Sequence, residues 1–361
     1  MNLRKSLTRC SSYVGMALAV ASGCDPFHAE FADVEPAELY ATTRIQSAGR
    51  HRGPLKVMNY NVKFGGARID FFFDCHGKRV HMTRGEVLEN LERLASIINE
   101  VNPDILFVQE VDVDSKRSAY VDQVQYLLDR TQLNYAAYAS QWRADFVPSD
   151  GVGPVDSGNA ILSRWPLTDA TRYALDLRQD QSALVRYFYL RRNILEATVA
   201  PGSEPIRLIA VHAEAYAQDG TKQKHIAAFE AHVDAAARRG PVIAAGDLNT
   251  LPPGTKKRHD FPDSACTEEY LADDFRDETT LLDPLYDKYE SAIPLGNYRD
   301  DNAPYFTHST SKEHRWNRTL DYVFSNRSLQ GGAVLQGNVG KIDTMDASDH
   351  APVVVRVEGL R

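Results

Sequence analysis

Cysteine is scarce in this sequence, with four in 361 residues. Cys10 and Cys24 fall in or beside an N-terminal leader, which leaves Cys75 and Cys266 for the body of the chain. That excludes a disulfide-built scaffold. The two remaining cysteines can pair in an oxidising compartment, but nothing in the sequence brings them together. Beyond the leader, no apolar run is long enough to cross a bilayer. Positive charge is in deficit too, with a formal net charge of −8. An acidic chain carries no global field for nucleic acid, although a local basic groove would suffice for cleavage. Internal repeats, heptads and low-complexity tracts are absent, which excludes solenoids and coiled coils.

The leader itself has the layout of an export signal. Arg4, Lys5 and Arg9 precede a short apolar stretch over 13–21, and small residues follow up to Cys24. Ala19-Val-Ala21 offers an ordinary cleavage site that would release a soluble protein. Ala21-Ser-Gly-Cys24 resembles a bacterial lipobox, with Ala21 where leucine is commonest, and is the better of the two. Cys24 is then the lipidated N-terminus of an exported protein anchored to a membrane, in the periplasm or at the cell surface. Removing residues 1–23 takes the formal charge from −8 to −11, because three basic residues leave and no acidic ones do. Residues 24–53 lack sustained periodicity and read as a tether, with one domain over 54–361.

Alternating patterns then recur. Leu55–Val62 reads as a strand with Asn59 and Asn61 on one face. Thr83 and Glu86 have capping-box spacing ahead of a helical pattern that Asn102-Pro103 closes. Ile105–Val108 is apolar throughout, as a doubly buried strand would be, and runs into Gln109-Glu110. A second helix is expected from Tyr120 to Thr131 and a third over 221–239. The stretch Arg186–Val199 reads as one long strand in a hairpin with Ile206–His212. Val242–Gly246 leads into Asp247-Leu-Asn249, and Phe71-Phe-Phe73 sits in a loop that suits either a satellite core or a lipid-facing rim.

Polar groups collect at the strand ends. Asn61, Glu110, His212, Asp247, Asn249, Asp321, Asp349 and His350 all lie at or beside the end of an apolar run. Any one alone is an ordinary turn or surface residue. Together they supply hard oxygen ligands suited to magnesium and two histidines able to move protons near neutral pH. Hydrolysis of a phosphate ester needs both.

In order, the motifs run N-x-N, Q-E, a histidine after an apolar strand, G-D-x-N, L-D-Y and S-D-H. This set resembles the endonuclease/exonuclease/phosphatase superfamily over roughly residues 55–358. The resemblance implies an α/β (α+β) fold, a four-layer sandwich of two mostly antiparallel β-sheets flanked by helices. It further implies that Glu110 is the principal ligand of Mg2+ (with Mn2+ able to substitute), and that Asp349 and Asn61 are close to the same ion or its waters. Asp247 would orient or deprotonate the attacking water, and Asn249 would bind a phosphate oxygen. His350, held by Asp321, would contact the phosphate or transfer a proton. His212 would be a second phosphate donor and Asn159 a further amide donor.

The expected protein is therefore a divalent-metal-dependent phosphoesterase, a phosphodiesterase acting outside the cytoplasm as a monomer. Its expected substrate is a phospholipid or sphingolipid headgroup or another phosphate ester. The alternative is a secreted or surface nuclease on DNA or RNA, for which Lys256-Lys-Arg258 and His314–Arg318 are the compact basic clusters. An inactive binding module is the remaining reading, and the intact set of acid, amide and histidine positions argues against it.

Overall fold

The computed structural model describes residues 25–51, 53–74, 77–261, 274–310 and 315–360. The leader over 1–23, Cys24, Cys75 and Cys266 lie outside the described residues. Numbered along the chain, one sheet has the order β1 (Val34–Pro36), β7 (Leu167–Ala174), β8 (Asn193–Val199), β9 (Ile206–His212), β10 (Val242–Asp247), β12 (Asp321–Ser325) and β11 (Glu290–Ser291). The other runs β13 (Leu329–Val334), β16 (Val353–Val357), β3 (Leu55–Asn61), β4 (Ile105–Asp112), β6 (Gly153–Ser163), β5 (Tyr135–Val147) and β2 (Glu38–Ala41). A small hairpin joins β14 (Asn338–Val339) to β15 (Ile342–Asp343). Within each large sheet one neighbouring pair is parallel, β9 with β10 and β3 with β4, and the others are antiparallel.

Strand alternation sorts the apolar residues into three layers. Leu55, Val57, Ile105 and Phe107 face Leu208, Ala210, Ile243, Ala245 and Val323 between the sheets. The residues between them turn outward. Met58, Tyr60, Leu106 and Val108 pack under α1 (Arg84–Val101) and α2 (Gln123–Arg130). Ile209, Val211, Ala244 and Phe324 pack under α4 (Thr221–Ala237) through Ile226, Phe229 and Val233. The result is the expected four-layer sandwich of helices, two sheets and helices. The start of α1 is fixed by the capping box: Glu86 N–H donates to Thr83 Oγ1 and Thr83 N–H to Glu86 Oε2. Among the described residues no helix is long and apolar enough to cross a membrane.

Three segments differ from the sequence reading. The expected tether over 24–53 carries two strands of the fold: β1 adds an edge to one sheet against β7, and β2 adds an edge to the other against β5. Short extended edges need only one row of partners, so they leave no sustained periodicity to read. The long strand expected over Arg186–Val199 divides into α3 (Ala183–Tyr187), a turn, and β8 from Asn193. Ser182 caps α3 by accepting from Val185 N–H. The Phe71–Phe73 loop folds inward: Phe71 is fully buried against Phe64, with ring centroids 4.7 Å apart, and stacks on Phe73. Phe71 thus joins the core under α1 and α2, while Phe72 and Phe73 are half-buried.

Candidate active site

Both parallel strand pairs end at the same rim of the inter-sheet layer. In the β3–β4 pair Asn61 stands beside Gln109, and in the β9–β10 pair His212 stands beside Asp247. The antiparallel neighbour β12 begins there, with Asp321 opposite Asp247. These residues continue the alternation that places Val57, Phe107, Ala210 and Ala245 in the core, so the fold aims them inward. Gly246 makes the approach of β10 to β9 possible, since a Cβ there would lie 1.9 Å from the Val211 carbonyl oxygen. His350 arrives in the turn just before β16, the strand that flanks β3.

Glu110 reaches the rim by a different route. Following Gln109, simple alternation would turn it toward the helices. The β4–β6 register breaks between Val108 and Val111, leaving Asn159 opposite both Gln109 and Glu110. Glu110 takes a left-handed φ of 56°, a strain of roughly 1–3 kcal/mol for a residue with a side chain. The bulge re-aims the carboxylate into the site.

There, Asn61 Nδ2 donates to Glu110 Oε1 at 3.2 Å and to Asp247 Oδ2 at 3.1 Å. His212 Nε2 lies 3.4 Å from the same Asp247 oxygen and 3.9 Å from Glu110. His350 Nε2 is 3.7 Å from Asp247 Oδ2, while its Nδ1 donates to Asp321 Oδ2 at 2.7 Å. Asn59 Nδ2 reaches the other oxygen of Asp321 at 3.5 Å, and Gln109 donates to Asn59 at 2.9 Å. Asp247 Oδ1 also accepts from the Asn249 backbone N–H at 3.0 Å.

Burial and neighbouring charge divide the titratable groups into roles. Burial opposes the charge on His350, but Asp321 and Asp247 outweigh it and push the imidazole up to about 10. His350 is thus a buried cation at neutral pH. His212 goes the other way, held well below its ordinary value by burial, by Arg192 and by His350. Asp247 is raised to about 7, chiefly by burial and further by Asp321 and Glu110. Burial and then Asp349 also raise Glu110. A carboxyl poised near 7 beside a fixed imidazolium is matched to proton transfer near neutrality.

The other expected residues are placed as follows. Asp349 is buried at the same end, where Lys63 Nζ meets it at 3.3 Å and Asp74 at 3.1 Å. Burial would raise Asp349, but Lys63 and His350 outweigh it and hold the carboxyl well below its usual range. Asn249 donates its Nδ2 to the Ala213 carbonyl at 3.1 Å. Asn159 lies deeper, fully buried opposite the bulge, with its Nδ2 directed at Asn193 Oδ1 at 3.4 Å. Sequence reasoning missed Lys63, Asp74 and Gln141, whose Nε2 faces His212 Nδ1 at 3.5 Å. The signal for Lys63 was its place just past Asn61; nothing local marked Asp74 or Gln141.

Several carboxylates and an amide crowd one end of the sandwich. Asp247, Asp321 and His350 present ligand atoms within 4.8 Å of one another and can hold a metal ion. Because His350 is an imidazolium bonded to Asp321, that trio is better suited to proton transfer than to coordination. Among the described residues Glu110 accepts a hydrogen bond only from Asn61. Its raised pKa and hard oxygen donors fit a divalent cation.

Residues 58–350 match the sequence profile of the Endonuclease/Exonuclease/phosphatase family. The chain belongs to that family. Its members are usually hydrolases acting on phosphate esters and are typically dependent on a divalent metal. Among solved structures, an endonuclease/exonuclease/phosphatase from Beutenbergia cavernae DSM 12333 is similar with a TM-score of 0.55 at 20% identity, covering 86% of this chain and 73% of that one. A family protein from Leptotrichia buccalis C-1013-b gives 0.52 at 18% identity, covering 84% and 100%. D. rerio TDP2 humanized by 14 mutations gives 0.51 at 14% identity, covering 85% and 99%. At these identities the likeness is one of fold. No curated protein matches the sequence.

Proposed function

We propose that the protein is a magnesium-dependent phosphodiesterase of the cell exterior that acts on a lipid-borne phosphate ester. The observation that carries the hydrolytic reading is the pairing of Asp247, poised near 7, with the His350 imidazolium that Asp321 holds in place. Asp247 takes the proton of the attacking water, and Asn61 and the Asn249 N–H fix its carboxylate for that task. His350 stabilises the negative charge that builds on the phosphoryl oxygens, and His212 adds a neutral donor beside it. Glu110, Asn61 and Asp349 would hold the metal, which when bound neutralises phosphoryl charge and lowers the pKa of a water.

The lipid reading rests on the approach to the domain. Leu184 and Val185 on α3 are 62% and 51% exposed. The first described residues pack against the same helix: Phe27 lies 6.4 Å from Tyr187 and 5.4 Å from Phe188 between ring centroids, and Tyr187 donates to Asp25. A chain anchored through Cys24 would therefore hold this apolar helix toward the bilayer. The test is release of headgroup or phosphate from vesicles of phosphatidylcholine and sphingomyelin, beside DNA, RNA and sugar phosphates, with magnesium. Vesicle turnover is expected. Turnover of nucleic acid alone would replace the lipid reading with the nuclease one.

A further inference from the structure

Arg192 carries a guanidinium that the fold buries, with two of its nitrogens unpaired among the described residues. It is 7% exposed, and neither its Nε nor its Nη1 meets an acceptor. Two other buried arginines show what the same interior does elsewhere. Arg172 donates to the carbonyls of Ser140 and Arg191, and Arg178 grips Asp180 with two nitrogens and Tyr189 with a third. Leaving a charged donor desolvated and unpaired is strongly unfavourable, so such a group points to a partner supplied from outside the chain.

Its position says which partner. Asn193 opens β8, whose register with β9 begins at Ile194 opposite Val211, so Arg192 sits at the end of the sheet where His212 does. Asn193 itself is pinned to the Ser140 carbonyl at 2.9 Å, so the backbone that carries Arg192 is fixed at the rim. The charge of Arg192 bears on His212, Tyr189 and His225, which brackets it between the site and the base of α4. Its effect on His212 outranks that of His350, whose ring shares the Asp247 Oδ2 atom with His212.

We propose that the Arg192 guanidinium binds a non-bridging phosphoryl oxygen of the substrate beside His212, which makes it a specificity-determining residue for anionic esters. This rests on the phosphoesterase reading and adds a second fixed cation to it. A guanidinium matches two phosphoryl oxygens at once, which an ammonium cannot do.

The experiment is a calorimetric titration of inorganic phosphate into the full magnesium-loaded protein and into R192M and R192K, with folding followed by melting temperature. R192M should bind phosphate roughly 10- to 100-fold more weakly, the loss expected for a charge-assisted contact. R192K should recover part of that loss. With a turned-over ester, kcat/KM should fall by at least a similar factor. Phosphocholine and a deoxynucleoside monophosphate, run in parallel, separate a lipid from a nucleotide source of the phosphoryl group, and Arg192 dependence with either supports the assignment. Folded R192M that binds phosphate as the wild type does overturns the assignment and leaves the phosphoesterase reading standing. Wild type with no phosphate affinity overturns both. Should the variants fail to fold, the Nε–H resonance of Arg192 in the wild type should shift on adding phosphate, and an unmoved resonance again overturns the assignment.

Discussion

The two ends of the inter-sheet layer are made from the same strands and do opposite things. At one end Leu55, Val57, Ile105, Leu208 and Ile243 interlock with no polar atom among their side chains. At the other, the next positions of the same alternation are Asn59, Asn61, Gln109, His212 and Asp247, equally buried and almost wholly polar. Burial at the first end stabilises the sandwich at about 25 cal/mol per Å2 of apolar surface. At the second it raises the pKa of Asp247 and lowers that of His212. One physical condition, removal from water, thus yields stability where side chains are apolar and reactivity where they ionise.

Breaking the polar end should abolish activity and spare the fold. Chelation of divalent metal should eliminate turnover, and added magnesium or manganese should restore it; full activity in excess chelator would refute metal dependence. Glu110→Gln should lose most of the rate with an unchanged or raised melting temperature, because it removes a desolvated carboxylate. Next in size is His350→Ala, expected to lower kcat/KM on the order of 10²–10⁴-fold. Asp321→Asn should cost somewhat less, and the double variant should be little worse than His350→Ala, since the pair acts as one unit. Losses that multiply would show that the two residues act independently.

Breaking the apolar end should do the reverse. Phe107→Ala should lower stability by about 3–5 kcal/mol, read by denaturant melts, with kcat of the folded fraction retained. The smallest effects come from pH. The rate should climb as Asp247 deprotonates through about 7 and fall as His350 deprotonates through about 10. His350, raised from an ordinary 6.5, contributes stability that is full below that value and is lost as pH rises through about 10. Melting temperature should therefore decline over that window in the wild type, and more shallowly in His350→Gln.

Much of the polar end was legible because strand alternation carries it: Asn61, His212 and Asp247 follow directly from the apolar positions before them. Glu110 was legible as a strand-end carboxylate, but its aim depends on a bulge whose other half, Asn159, lies far along the chain. Long-range partners of that kind leave no local mark, and the same holds for Asp74 on Lys63. The Arg186–Val199 run was misread because its Tyr, Phe and Leu suit a strand, while the Ser182 cap and packing on Phe27 decide for a helix and turn. Edge strands β1 and β2 escaped for the same reason that edges are short: each needs only one neighbour.

The place of β16 has a consequence in time. It is the last strand among the described residues, yet it pairs with β3, whose alternation opens the core, with Val355 beside Val57. Asp349 and His350 sit immediately before it. A chain emerging N-terminus first holds β3 with one flank unpaired until residues 353–357 are free. His350 and the closure of the sheet therefore come from the same segment. A chain that has emerged only as far as β12 has neither, so the pairing of His350 with Asp321 and the completed sheet arise together.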